Sequence, residues 1–291
     1  MKEMTQYRFA TLMLQSSATL LESFKVILKF CLASCRLSID PHTTSNKEIF
    51  VYGSGKDQPT AGKIYQKTLD CASSYLAFRD LPQIFKEYQT KGRALDYGCG
   101  IGISSFFLTN CDFTVTGVDT NPSMLEVAKI AIPDMDLHLV HKNRPIPVKP
   151  ESYDLVFSSF VLFELENKDD IRYYLTQAKN ALKPGGYLII LTGSEWMHNP
   201  KYRWLYYEAN FPENYNLASG KKARVHLTDA NIIFEDFYWT TKDYHALFKE
   251  VGFEVIKTHF PLGQPNEPFE WQDELNRSPF VIFVLKKPIP H

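Results

Sequence analysis

The sequence predicts an α/β fold built on a mostly parallel sheet with helices on both faces. Three observations carry that expectation. Short, apolar, β-prone runs alternate with stretches of helical periodicity over roughly residues 90–192. The first run stops at a carboxylate, Asp96, and three glycines follow at alternate positions, Gly98, Gly100 and Gly102. A second apolar run, Val115-Thr-Gly-Val118, ends on another carboxylate, Asp119, at the distance a β–α–β unit requires.

Residues 94–105 read Ala-Leu-Asp-Tyr-Gly-Cys-Gly-Ile-Gly-Ile-Ser-Ser. Glycine lets another molecule approach the backbone and tolerates positive φ. A helix start offers free N–H groups. Strand, glycine turn and helix therefore make a nucleotide-sized site at the carboxyl end of a strand. The spacing is not the G-x-G-x-x-G of a dinucleotide turn, because the third glycine comes one residue early and Ile103 stands in its place. Asp96 would also repel a pyrophosphate. A ligand with an ammonium and no phosphate fits better, and S-adenosylmethionine is such a ligand. A carboxylate at Asp119 can accept both ribose hydroxyls; a charge at a helix start is also favoured by the dipole.

The next elements follow in order. Thr120-Asn-Pro-Ser123 opens a helix with Pro122 in its first turn, and Met124, Leu125, Val127, Ala128 and Ala131 form its apolar face. Leu155-Val-Phe157 reads as a buried parallel strand. A helix is expected over about 169–182, stopped by Leu182-Lys-Pro-Gly-Gly186, before a further buried strand at Tyr187–Leu191. Beyond it lies an aromatic-rich stretch, then two added strands, at 224–227 and within 232–239. Thr240-Thr-Lys-Asp243 is a capping box for a helix that Gly252 ends. Glu254-Val-Ile256 and Phe280–Leu285 complete the sheet.

Four blocks in register, Leu95–Gly102, Val118-Asp119, Tyr153-Asp-Leu-Val156 and Leu182–Gly186, strongly resemble the class I S-adenosylmethionine-dependent methyltransferases, of the small-molecule type. The resemblance implies a Rossmann-like, seven-stranded sheet with an antiparallel last strand. It also implies S-adenosylmethionine as methyl donor and S-adenosylhomocysteine as product. Carried over residue by residue, it gives Asp96 the methionine ammonium, through water, and lays the methionine part against Gly98, Gly100 and Gly102. Asp119 would grip the ribose, and Thr120 and Met124 would flank the adenine or ribose. Asn143 is the nearest match to the family's Asp beside the adenine amine. Ser158 and Ser159 would lie near the sulfonium. Tyr97 replaces the usual aliphatic residue, either to touch the cofactor or to pack.

The 291 residues are divided as an N-terminal helical extension and linker, 1–60, and a methyltransferase domain, 61–291, with a lid inserted at 193–239. Apolar positions from Leu20 to Leu32 share one face of an amphipathic helix, read first as packed and second as lying on a membrane surface; Glu22, Lys25 and Lys29 break the apolar run, so neither a membrane span nor a signal peptide is expected. Residues 40–62 read as a linker or loop by composition. A formal charge of -1 argues against a nucleic-acid surface. The five cysteines have no metal spacing and are odd in number, as in a reduced, cytoplasmic chain.

The expected partner is a small, planar or apolar methyl acceptor, with a protein or RNA substrate and a non-catalytic binding module as the alternatives. Tyr65, Tyr75 and Arg79, ahead of the first parallel strand, either face that acceptor or pack. The same two readings hold for Trp196, Tyr202, Trp204, Tyr206, Tyr207, Tyr238 and Trp239 in the insertion. An acceptor hydroxyl or ammonium needs a base. His138, His141, His198, His226, His245 and Glu164 are candidates by residue type, and no catalytic residue is assigned. The Asn-Pro-Pro-Tyr motif of amino-group methylases and the Pro-Cys pair of cytosine C5 methylases are absent.

Overall fold

The computed structural model describes residues 50–53, 62, 72–142 and 144–290. Strand β1 (Phe50–Gly53) comes first, then helices α1 (Tyr75–Phe78) and α2 (Leu81–Glu87). The alternating core follows: β2 (Gly92–Tyr97), α3 (Ile103–Asn110), β3 (Phe113–Asp119), α4 (Pro122–Ala131), β4 (Asp136–Leu139), β5 (Tyr153–Ser159), α5 (Lys168–Ala181) and β6 (Leu182–Gly193). Three short strands, β7 (Tyr207–Glu208), β8 (Lys222–Leu227) and β9 (Ile232–Phe237), precede α6 (Thr241–Val251), β10 (Glu254–His259) and β11 (Phe280–Lys286).

The main sheet has the order β10-β11-β6-β5-β2-β3-β4. Strands β2 to β6 run parallel, and β11 is antiparallel to both of its neighbours, as expected. The continuous apolar runs are explained by burial on both faces. Leu188 and Ile190 of β6, with Phe283 and Leu285 of β11, pack under α5 and α6. Ile189 and Leu191, with Ile282 and Val284, pack under α1, α2 and α3. Each such side chain contributes about 1.5–3 kcal/mol of burial. Asn121 caps α4 by accepting from Ser123 N–H at 3.0 Å. The capping box of α6 closes with Asp243 N–H donating to Thr240 Oγ1 at 3.1 Å and Thr240 N–H to Asp243 Oδ2 at 3.2 Å.

Two local expectations change. Helix α5 ends at Ala181, but Leu182–Gly186 is extended backbone belonging to β6 rather than a turn ahead of it. Tyr153 pairs with Leu182 and Leu155 already with Tyr187, so this segment bulges out of the ladder. Gly185, at φ 78, bends it, and its N–H donates to the Lys287 carbonyl at 2.9 Å. Second, the stretch 40–62, expected as a linker or loop, supplies β1. It pairs in parallel with β9 from Phe50↔Ile232 to Gly53↔Glu235. Without β1, β9 would be an edge strand with an unpaired row of N–H and C=O groups, and that requirement outweighs local composition.

The insertion after β6 contains the two expected strands and one more, giving a second sheet of order β1-β9-β8-β7. The N-terminal extension before Phe50, including the amphipathic helix expected there, lies outside the described residues, as does Tyr65.

Candidate active site

The glycine turn and the end of β3 are one hydrogen-bonded unit. Gly98 and Cys99 N–H both donate to the Val118 carbonyl, at 2.8 and 3.0 Å. Gly100 N–H donates to Asp119 Oδ2 at 2.8 Å, and Asn121 N–H to Oδ1 at 2.8 Å. A carboxylate has about four acceptor sites, more than these two amides use. All three glycines have positive φ. At Gly98 (φ 87) a Cβ would sit 2.3 Å from Val161 Cγ2, so glycine is required by packing as well as by conformation. At Gly100 (φ 52) a Cβ would meet nothing within 4 Å and would project into open space.

That space belongs to a cavity of about 450 Å³. One half is lined by Tyr97, Gly98, Gly100, Asp119, Thr120 and Met124, at the carboxyl ends of β2 and β3. The other is walled by Phe78, Phe160, Phe163, Met197, Tyr207 and, from the second sheet, Val225, Leu227, Phe234 and Asp236. The period of two along Phe234 and Asp236 puts both on the sheet face turned to the cavity.

Asp96 lies beneath the turn, fully buried. Ser104 and Ser105 hydroxyls donate to its Oδ2 at 2.7 and 2.6 Å, while Oδ1 is buried without a partner. Burial pushes this carboxyl up to about 6, and the Asp119 charge adds to the effect, against the serine hydroxyls that favour the ionised form. An orphaned buried carboxylate oxygen is costly, and a cationic group or a bridging water is what would satisfy it. Asp96 is behind the cavity wall rather than on it. The orphaned oxygen and the open space over Gly100 together fit a ligand that carries an ammonium and lies against bare backbone.

Ser158, expected near the sulfonium, is fully buried, and Ser159 lines the cavity instead. The Tyr174 hydroxyl donates to the Tyr97 carbonyl at 2.6 Å and lies 2.8 Å from Ser158 Oγ. One hydroxyl carries one proton, so Ser158 donates to Tyr174. Burial holds the Tyr174 hydroxyl far above its usual pKa, in the protonated form this bonding needs. The Tyr97 ring stacks on Tyr174 at 3.9 Å while lining the cavity, so it both packs and is accessible to a ligand. Asn143 lies outside the described residues. Phe160, just past β5, has φ 59, a strained conformation for a bulky residue. Its N–H donates to the Leu191 carbonyl at 2.8 Å, which fixes the bend that carries Ser159 and Val161 into the wall.

Most of the singled-out aromatics pack elsewhere. Of the seven in the insertion, Tyr207 lines the cavity. Trp204 Nε1–H donates to the Met197 carbonyl at 3.1 Å and Trp239 Nε1–H to the Leu165 carbonyl at 3.1 Å, both rings being buried. Trp196 and Tyr202 flank Arg277. Tyr75 and Arg79 do not reach the cavity either. Both bind Glu267, whose other oxygen accepts from Trp271 Nε1–H at 2.8 Å.

Among the histidines, His138 pairs with Asp136 near the surface, His226 lies by Glu208 and Asn231, and His245 by Thr258. His141 lines the cavity rim with Lys142, which pairs with Asp170 at 2.9 Å. Glu164 also lines the cavity. His198 is buried with Nε2 at 2.9 Å from Asp236 Oδ2. Asp236 escaped the sequence reading. Its signal was the alternation Ile232-x-Phe234-x-Asp236, which places a carboxylate on an apolar strand face. Cys99 is buried, and burial raises its thiol far out of the reactive range. Among the described residues no cluster of His, Cys, Asp and Glu could hold a metal ion, and no helix is long and apolar enough to cross a membrane.

Residues 95–190 match the family described as methyltransferase domain. A demethylmenaquinone methyltransferase of Staphylococcus haemolyticus is 30% identical over 186 residues, covering 60% of this chain and 74% of that protein. One from Tropheryma whipplei is 29% identical, covering 55% of this chain and 65% of its own. A ubiquinone biosynthesis O-methyltransferase of Cereibacter sphaeroides is 30% identical, covering 39% and 49% respectively. The chain thus spans less than two thirds of the length of these last two relatives. Among solved structures, an S-adenosylmethionine-dependent methyltransferase from Mesorhizobium loti superposes with a TM-score of 0.51 at 20% identity, over 70% of this chain and 96% of that one. One from Aquifex aeolicus gives 0.52 at 17% identity, over 80% and 100%. With the cradle around Gly100 and Asp119, these matches define the class: the chain belongs to the class I S-adenosylmethionine-dependent methyltransferases.

Proposed function

We propose that the enzyme methylates a small, largely apolar, planar acceptor bound between the glycine turn and the second sheet. The observation that carries this reading is the continuity of one cavity from Gly100 and Asp119 to Phe160, Phe163, Met197 and Phe234. Its volume suits a nucleoside cofactor with a compact second ligand. The relatives named for menaquinone and ubiquinone biosynthesis support an acceptor of quinol or phenol shape.

In this reading Asp96 answers the methionine ammonium through a water on Oδ1, and the backbone from Gly98 to Gly102 lies along the methionine chain. Asp119 takes the ribose hydroxyls, and Thr120 and Met124 flank the nucleoside. Bound S-adenosylmethionine supplies a methyl group activated by its sulfonium. The protein's part is to align the acceptor with that methyl and to exclude water. The second sheet and the Phe160–Phe163 bend do both.

The test is calorimetry with S-adenosylhomocysteine, followed by transfer from methyl-tritiated S-adenosylmethionine to phenols and quinols, with tRNA and protein pools in parallel. Binding with label in the small molecules is expected. Label confined to macromolecules overturns the acceptor assignment, and no binding overturns the cofactor cradle.

A further inference from the structure

We propose that Asp236, oriented by His198, accepts the proton of a hydroxyl-bearing acceptor during methyl transfer. The inference rests on the reading above and narrows its acceptor to a phenol or enol. Asp236 is buried, lines the acceptor half of the cavity, and shares a strand face with Phe234. Isolated carboxylates on apolar walls are costly unless partnered. Here the partner is a buried imidazole, which holds one carboxylate oxygen at 2.9 Å. The pair joins two parts of the insertion, since His198 follows β6 and Asp236 lies one residue before the end of β9. Both were placed by packing the insertion over the carboxyl ends of the parallel strands.

The other acidic groups of the cavity are engaged. Asp119 is held by two backbone N–H groups, and Asp170 by Lys142. Glu164 has a partner as well. Charged and titratable groups around Asp236 are His198, Glu235 on its own strand and Tyr244 on α6. Burial raises Asp236 above the usual carboxylate range, with Glu235 adding to it and His198 opposing it. That direction brings a carboxylate closer to the basicity a proton acceptor needs.

The step balances. The acceptor oxygen forms a bond to the methyl carbon, the carbon–sulfur bond breaks, and its electrons remain on sulfur as S-adenosylhomocysteine. The hydroxyl proton passes to the Asp236 carboxylate, whence His198 can relay it. An acceptor whose lone pair is already free would need no such group.

The probe is 4-nitrophenol, whose absorbance reports its ionisation. With S-adenosylhomocysteine bound, a facing carboxylate disfavours the phenolate. The apparent pKa of bound 4-nitrophenol should therefore lie about one unit above its free value in the wild type and return toward it in Asp236→Asn, a loss of about tenfold in the ratio. Transfer to 4-nitrophenol from labelled S-adenosylmethionine should fall about 100-fold in kcat in Asp236→Asn, with KM altered little. His198→Gln should lose about tenfold, and in both variants the rate should follow the probe's own ionisation. S-adenosylhomocysteine affinity should be unchanged in either. Lack of 4-nitrophenol binding, preference for benzylamine, or a bound pKa at or below the free value in the wild type overturns the proposal, with no variant required. An equal bound pKa in a folded Asp236→Asn protein does so too. Loss of S-adenosylhomocysteine binding by the wild type would instead remove the reading on which it rests.

Discussion

The Gly100 amide donates to Asp119 Oδ2 over 2.8 Å, so the bare backbone of the turn and the carboxylate that ends β3 hold each other in place. Asp119→Ala removes this bond, the Asn121 bond and the carboxylate proposed to accept the ribose hydroxyls. S-adenosylhomocysteine affinity is expected to fall at least about tenfold, or ~1.4 kcal/mol. Asp119→Asn should keep part of it. Calorimetry checks both, and unchanged affinity in the alanine variant would count against the cradle.

Gly98 and Gly100 should respond differently to alanine. At Gly98 the added carbon meets Val161 at 2.3 Å, so the loss is in the fold, about 1–3 kcal/mol in chemical denaturation. At Gly100 the same carbon enters the cavity. There the melting temperature should move less and cofactor affinity more. The reverse ranking would mean that the open space over Gly100 is not where the cofactor lies.

Asp96 ties function to pH. Its folded pKa of about 6 exceeds the unfolded value of about 3.9, so the folded chain binds the extra proton between them. Lowering the pH from about 7 to about 5 should therefore stabilise the ligand-free protein by about 1 kcal/mol through this group. Asp80, held near 2 despite its burial by His259 and Arg79, acts in the opposite direction, but only as pH falls below about 4. Asp236 acts in the same direction as Asp96, and His245, lowered by burial, opposes them. The difference between wild type and Asp96→Asn isolates the Asp96 share. At neutral pH the variant should melt higher yet bind S-adenosylhomocysteine more weakly. A pH dependence identical in the two proteins would rule the account out.

Glu267 is a structural node. Its carboxylate accepts from Tyr75, Arg79, Gln264 and Trp271 at 2.7–3.0 Å and is buried. Glu267→Ala leaves Arg79 with Asp80 and the Leu262 carbonyl, takes the acceptor from Tyr75 and Trp271, and is expected to cost about 3–5 kcal/mol of folding stability. Chemical denaturation reads this directly, and a loss below about 1 kcal/mol would show that the four bonds are replaceable.

The glycine-turn half of the cavity was legible because its chemistry is local. Asp96, the three glycines and Asp119 sit within short stretches whose spacing a parallel sheet dictates. The apolar half was not, because it is assembled from distant parts. Phe78, Phe163, Phe234 and Asp236 come together through the order of two sheets. Aromatic density did not decide between its two readings: Trp204 and Trp239 are rich in surface to bury and found carbonyl partners in the interior. Ser158 and Ser159 differ by one residue, hence by one face of the sheet, and the sequence does not say which face β5 turns toward the ligand.

The pairing of Phe50 with Ile232 has a consequence for how the molecule is made. The ribosome releases the first strand long before its partner exists, and the intervening chain must close a very large loop before the two can meet. The glycine turn and the end of β3 need only neighbours in sequence. The polypeptide should thus form that unit early in folding and complete the apolar half of the cavity late, with the apolar half the first part to open under denaturant.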